Sequence, residues 1–330
     1  MRSKAIVEVM VLKTPVVFII FNRSDTTERV FAEIAKVRPR KLLVIADGPR
    51  PDHPSDIEGC KAARAVIERV DWDCEVLTNY SEANFGCKAR ISSGLDWAFQ
   101  NVEEVIILED DCLPHPTFFR FCEDSLERYR DDERIALISG TNLKIVQKKN
   151  PYGYYFSHYP LIWGWATWRR FWKHYDVNIK QWPEFRDSGW LESILGNKGA
   201  VYHYWRKVFD AVYKGKIDTW DYQVVFATWL QGALAIIPRV NLVSNIGFGE
   251  AAAKTKRRWH KFANLKRFEM AFPLSHPREV SRNVAADRFV ERYSLTPFRP
   301  LPMKIFLYAS YKVKRWFLER FTSKSDNYRR

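Results

Sequence analysis

Three consecutive carboxylates, Glu109, Asp110 and Asp111, follow directly on an apolar run at 105–108. Charges of one sign this close repel and raise one another's pKa unless a cation or several donors offset them. A hard divalent cation such as Mg2+ or Mn2+ resolves the conflict, because it takes oxygen ligands and commonly holds substrate phosphates as well. A second reading stands beside the first: Asp111 or a neighbour caps the helix expected over 117–129, where the dipole favours an acid. A further carboxylate, Asp221, lies between Trp220 and Tyr222. Such a group can accept a proton from an attacking hydroxyl, or it can begin a helix whose aromatic neighbours are core.

The elements that must position these groups are written in the hydrophobic pattern. A continuous apolar run at 16–21 reads as a strand buried on both faces. Asp25, Thr26, Thr27 and Glu28 then have capping-box spacing, with Asp in place of Ser or Thr. Val30, Phe31, Ile34 and Val37 follow at helical spacing, and Pro39 closes the helix. A second strand at 42–46 ends at Asp47-Gly48. A helix carrying Ala62, Ala63, Val66, Ile67 and Val70 leads to a third strand at 75–78. Leu95, Ala98 and Phe99 mark another helix before the fourth strand, at 105–108. Such alternation predicts an α/β fold with a mainly parallel sheet and helices on both faces. Ligands bind beyond the carboxyl ends of the strands in sheets of this kind. Asn22-Arg23, Asp47-Gly48 and the carboxylate triplet should therefore converge on one edge.

The texture changes over 151–229, which holds nine of the 13 tryptophans, and a late strand is expected at 234–237. Beyond residue 250 the chain is basic and punctuated by proline. That stretch carries 20 Lys and Arg against 6 Asp and Glu, whereas the first 250 residues hold 33 of each sign. A neutral body with a basic appendage points to an anionic surface approached from one side, not to a nucleic-acid-binding face. Over 302–321, Phe306, Ala309, Val313, Trp316 and Phe317 share one helical face, with Lys304, Lys312, Lys314 and Arg315 mostly opposite. A basic amphipathic helix of this kind lies on an anionic membrane or docks on its own domain through the same apolar stripe. The five cysteines are odd in number and form no CxxC pair, which reads as reduced thiols in a cytoplasmic protein. Lys4, Glu8 and Lys13 interrupt the opening apolar stretch, so no signal-peptide core is expected.

The segment Ile106-Ile107-Leu108-Glu109-Asp110-Asp111, followed by Pro116-Thr117-Phe118-Phe119, resembles the DXD region of GT-A glycosyltransferases. It is especially similar to the Glu-Asp-Asp element of N-acetylglucosaminyltransferase I and its bacterial relatives. Pro160-Leu161-Ile162-Trp163-Gly164-Trp165 resembles that family's acceptor-side Gly-Trp segment, and Trp220-Asp221 its Trp-Asp element. The order along the chain agrees. The resemblance implies a GT-A, Rossmann-like nucleotide-diphospho-sugar transferase domain over 1–250, with a donor half at about 13–145 and an acceptor half at about 146–250. A basic helical extension over 251–330 would complete the chain. It implies Asp111 as direct metal ligand for Mn2+ or Mg2+, Glu109 and Asp110 at the ribose or second-shell water, and Arg23 at the diphosphate or nucleoside. Asp47 would meet the base, and Asn84 and Lys88 would line the donor-side helix start. Trp163, Trp165 and Trp220 would lie by the acceptor, and Asp221 would be the base of an inverting transfer from a nucleotide-sugar, with UDP as the expected nucleotide. A glycan or lipid-linked acceptor at the inner membrane face fits the basic tail.

One departure concerns the metal. Many GT-A enzymes complete the site with a His after the last strand, but here Asn245-Ile246-Gly247-Phe248-Gly249 runs into Glu250, three alanines and Lys254. The next histidine is His260. Either His260 serves, or Lys254 offsets diphosphate charge directly. Two rivals share parts of the pattern. A sugar-phosphate nucleotidyltransferase would need a Gly-rich phosphate loop after the first strand, where this chain has Asn22-Arg23-Ser24-Asp25. A non-catalytic carbohydrate-binding protein would keep the tryptophans without needing Asp221.

Overall fold

The computed structural model describes residues 11–143, 151–248 and 262–292. Its first half alternates as the pattern predicts: β1 (Val16–Ile20), α1 (Ser24–Val37), β2 (Lys41–Ala46), α2 (Ser55–Ala65), β3 (Glu75–Tyr80), α3 (Gly86–Asn101) and β4 (Glu104–Glu109). A short β5 (Cys112–Pro114) and α4 (Thr117–Arg128) lead to β6 (Ile135–Ser139), β7 (Tyr154–Ser157) and β8 (Trp165–Trp168). Helices α5 (Arg169–Trp172), α6 (Trp182–Arg186), α7 (Trp190–Leu195), α8 (Ala200–Tyr213) and α9 (Asp221–Leu230) follow. β9 (Leu234–Pro238), β10 (Val243–Asn245) and α10 (Val284–Val290) complete the series.

The large sheet runs β3-β2-β1-β4-β8-β6-β9-β7. β1 pairs parallel with β2 and β4, β2 with β3, and β6 with β9; β8 and β7 run against their neighbours. Six of the eight strands thus share one direction, and the α/β class holds. Both faces are covered, which explains the unbroken apolar runs. Val16, Phe18 and Ile20 pack with α1 and α4, including Val30, Ile34 and Phe118. Val17 and Ile19 face the other way, toward Leu95 and Phe99 of α3, in a core shared with α8 and α9. Each such side chain contributes roughly 1.5–3 kcal/mol by leaving water.

Two local expectations need correction. Asp25 does not cap α1; the helix begins at Ser24 without a side-chain cap, and the Thr26 and Thr27 hydroxyls donate back to the Arg23 carbonyl at 3.3 and 2.7 Å. The apolar stretch after Ala62 is no single helix either, since α2 stops at Ala65 and a 3-10 turn occupies Ile67–Arg69.

The tryptophan-rich stretch is mostly core. Trp165, Trp168, Trp172, Trp182, Trp205, Trp220 and Trp229 are all buried, and several indole N–H groups find partners, Trp172 on Asp96 at 2.7 Å and Trp182 on Asp210 at 2.9 Å. The chain at 262–292 packs back on this body. The Asn283 N–H donates to the Phe156 carbonyl at 2.8 Å, and Arg282 forms a parallel bridge with Phe156. Asp287, fully buried, accepts from Ser157 Oγ and from Arg282 Nε, each at 2.5 Å. Burial pushes the Asp287 carboxyl up, and these two donors oppose the shift. Arg282 Nη2 also lies 3.0 Å from His158 Nε2. Burial and the Arg282 charge push His158 down to about 2, so its ring stays neutral. No described helix is long and apolar enough to cross a membrane. The amphipathic stretch at 302–321 lies outside the described residues.

Candidate active site

Because β1 is hydrogen-bonded to both β2 and β4, with Ile20 opposite Ala46 and Ile19 opposite Glu109, three strands end side by side. Arg23 follows β1, Asp47 follows β2, and Glu109 closes β4. The Arg23 guanidinium bridges Asp110 and Asp111. Its Nη2 donates to Asp110 Oδ1 and, at 3.0 Å, to Asp111 Oδ2. Asp110 Oδ2 accepts from the Phe21 N–H at 3.3 Å. Arg23 thus sets a positive charge beside two of the three acids. Burial would lower the arginine's pKa, but the two aspartate charges outweigh it and hold Arg23 above its ordinary value.

Asp111 is gripped from a second direction. Its Oδ1 accepts from Asn245 Nδ2 at 3.3 Å, and its carbonyl accepts from the Ile246 N–H at 2.8 Å. The backbone leaving β10 then passes so close that a Cβ at Gly247 would overlap Asp111 Oδ2 and come within 2.7 Å of Arg23 Nη1. Only glycine leaves room there. The helix-capping alternative for Asp111 fails, because the Thr117 N–H at the start of α4 donates to His115 Nδ1 at 3.2 Å.

Glu109 differs from its neighbours. It is half-buried, and its carboxyl has no hydrogen-bond partner among the described residues. Burial, then the Asp111 and Asp110 charges, push its carboxyl up to about 8, so it is mainly protonated at neutral pH. The charge of Asp221 adds to that push, which brings the start of α9 into the same electrostatic space. Asp110 is raised to about 6, burial outweighing Arg23. Asp221 is the first residue of α9. Its Oδ1 accepts from the Thr219 hydroxyl and from the Tyr222 N–H at 2.9 Å.

The remaining expected residues divide. Asp47 accepts from the N–H groups of Gly48, Phe85 and Gly86 at 3.0, 2.9 and 3.0 Å. Burial raises its carboxyl while these bonds oppose the rise. Asn84 Nδ2 donates to the Gly48 carbonyl at 2.8 Å. Both residues staple the loops after β2 and β3 to each other. Lys88 Nζ reaches Asn178 Oδ1 at 3.1 Å, and its N–H donates to Asp218 at 3.1 Å. The Gly86 and Lys88 N–H groups at the start of α3 are thus already taken by aspartates. Trp163 keeps exposed surface and packs edge-on to Phe248 at 5.7 Å. Trp165 and Trp220 are corrected to core: both are buried, and they stack on each other at 5.9 Å, leaving little face for a sugar. Lys254 and His260 lie outside the described residues.

Sequence reasoning matched the segment at 245–249 without giving Asn245 or Gly247 a role, and did not name Thr219. The only signal for Thr219 was a hydroxyl two residues before Asp221. It also missed a cluster beside Arg23, in which Asn22 Nδ2 and Arg50 Nε each donate to Asp56 at 2.6 Å, and the Arg50 bonds lead in holding Asp56 down at about 2. As for a metal, no three His, Cys, Asp or Glu side chains are grouped to hold one among the described residues. The donor chemistry fits a hard cation in the mode that uses one or two carboxylates plus phosphates and water. Asp111, the residue expected to hold it, has its Oδ2 on Arg23 and its Oδ1 on Asn245.

No family model matches the chain, and no curated protein matches it in sequence. Among solved structures, it is similar to UDP-glucose pyrophosphorylase complexed with UDP-glucose, at 10% identity and a TM-score of 0.35, over 69% of this chain and 90% of that one. The apo form of a UDP-glucose pyrophosphorylase aligns at 10% identity and a TM-score of 0.33, over 70% and 93%. Likenesses this loose carry no functional argument.

Proposed function

We propose that this chain is an inverting glycosyltransferase, moving a hexosyl or N-acetylhexosaminyl group from a nucleoside-diphosphate donor, a UDP-sugar, to a hydroxyl of a glycan or lipid-linked acceptor. The observation that carries the reading is the meeting of Arg23, Glu109, Asp110 and Asp111 on one sheet edge within the field of Asp221. The acceptor hydroxyl gives its proton to Asp221 as its oxygen bonds to the anomeric carbon. The bond from that carbon to the diphosphate breaks, and the diphosphate leaves with the electron pair. Arg23 supplies positive charge beside the leaving group. Glu109, protonated, donates a hydrogen bond to a donor hydroxyl, and Trp163 offers the acceptor an aromatic face. A divalent cation bound by Asp111 would add charge neutralisation of the diphosphate.

The test is release of UDP from a panel of UDP-sugars, with and without Mn2+ and with candidate acceptors. Asp221→Asn should leave donor binding near normal and cut transfer by ~10²–10⁴-fold. Donor affinity that collapses along with rate would make Asp221 a donor-binding or structural residue. A nucleotidyltransferase would instead form UTP from UDP-sugar and pyrophosphate and be indifferent to Asp221. A carbohydrate-binding protein would show neither activity.

A further inference from the structure

We propose that Thr219 is a positioning residue that aims the carboxylate of Asp221, a role that rests on Asp221 being the base. Two donors converge on one oxygen: the Thr219 hydroxyl and the Tyr222 N–H both reach Asp221 Oδ1. Oδ2 has no hydrogen-bond partner among the described residues, which leaves it to receive a proton. The first N–H groups of any helix lack partners within the helix. An aspartate at the first position of α9 already takes the Tyr222 N–H and can rotate toward the others, which would move its free oxygen as well. The Thr219 hydroxyl opposes that rotation by holding Oδ1.

The backbone around Thr219 is held by other groups. Its carbonyl accepts from Gln223 Nε2 at 2.6 Å, and the same amide donates to the Val177 carbonyl at 3.0 Å. The Trp220 carbonyl accepts from the Tyr175 hydroxyl at 3.1 Å, and the Tyr175 ring stacks on Trp172 at 4.1 Å. Trp220 itself is stacked on Trp165. The threonine hydroxyl is not needed to hold this turn, and its partner is the Asp221 carboxylate. Thr219 is buried, so water is poorly placed to replace it.

Thr219→Val keeps the shape and removes the hydroxyl. A misplaced base costs up to ~10²-fold, so kcat should fall ~10–100-fold while KM for donor and acceptor stays within about twofold. Thr219→Ser should return kcat to within about threefold of wild type. In an Asp221→Asn background, Thr219→Val should cause no further loss, because a positioning group acts only through the group it positions. Wild-type kcat in Thr219→Val, a serine variant as slow as the valine one, or an equal further loss in the Asp221→Asn background would each overturn the proposal. If Thr219→Val fails to fold, Thr219→Ala compared with Thr219→Ser supplies the same contrast. Should Asp221→Asn itself transfer sugar normally, the assignment of the base is what has failed.

Discussion

Replacing Glu109 by glutamine tests the electrostatics of the strand end directly. Burial and its two aspartate neighbours carry the Glu109 carboxyl from 4.5 to about 8. A carboxyl whose pKa is raised by folding binds its proton more tightly in the native state. Its stabilising contribution is therefore complete below about pH 4.5 and is lost as pH climbs toward 8. Each pH unit inside that window costs at most about 1.4 kcal/mol. Solvent reaches part of the half-buried side chain and screens it, which leaves about 2–4 kcal/mol over the whole interval. Glutamine is neutral at every pH and escapes this loss. Urea unfolding of both proteins in EDTA, at half-unit steps from pH 4.5 to 8.5, should show the variant gaining on wild type by that amount as pH rises. Parallel curves would mean that Glu109 ionises as freely in the fold as in water, and the picture of a protonated donor at the site would fall.

Two other substitutions probe the supports of the site. Gly247→Ala drives a methyl into Asp111 and Arg23; it should cost about 1–3 kcal/mol and weaken UDP binding at least tenfold by calorimetry, and unchanged affinity would show that this backbone lies apart from the donor. Arg282→Met strips Asp287 of its cation and should lower stability by about 3 kcal/mol in urea, whereas an unmoved midpoint would reduce the C-terminal contact to a passive one.

How far the sequence could be read follows from what writes each signal. β1, β2 and β4 were legible because burial on both faces leaves unbroken apolar runs. The gathering of Arg23 with the acids at 109–111 was legible because parallel neighbours end on one edge. The pairing of Arg23 with Asp110 and Asp111 was not, since it joins residues 87 and 88 positions apart and depends on which strands are neighbours. The resemblance implied Arg23 at the nucleotide; in the fold it pairs with Asp110 and Asp111. Trp165 and Trp220 misled for a related reason. An indole suits a sugar face and a core equally, and only the burial and mutual stacking of these two show which they serve. For Asp47 the resemblance implied a place at the nucleotide base; in the fold its oxygens accept from N–H groups of a loop nearly forty residues on.

The contact between 282–287 and β7 has a bearing on how the chain is made. β7 ends the sheet, and its sequence Tyr-Tyr-Phe-Ser is the kind of apolar margin that recruits strands from other molecules when left open. Here the margin is sealed by Arg282, Asn283 and Asp287, and the seal joins Ser157 to a residue 130 positions later. At ordinary synthesis rates of 5–20 residues per second, roughly 7–25 s separate the two. Because β7 joins the sheet only through β9, the sticky flank exists from the making of Pro238 until Asp287 follows. A chain shortened near residue 250 would carry it permanently, and should be recovered as aggregate even though every proposed catalytic group is still present.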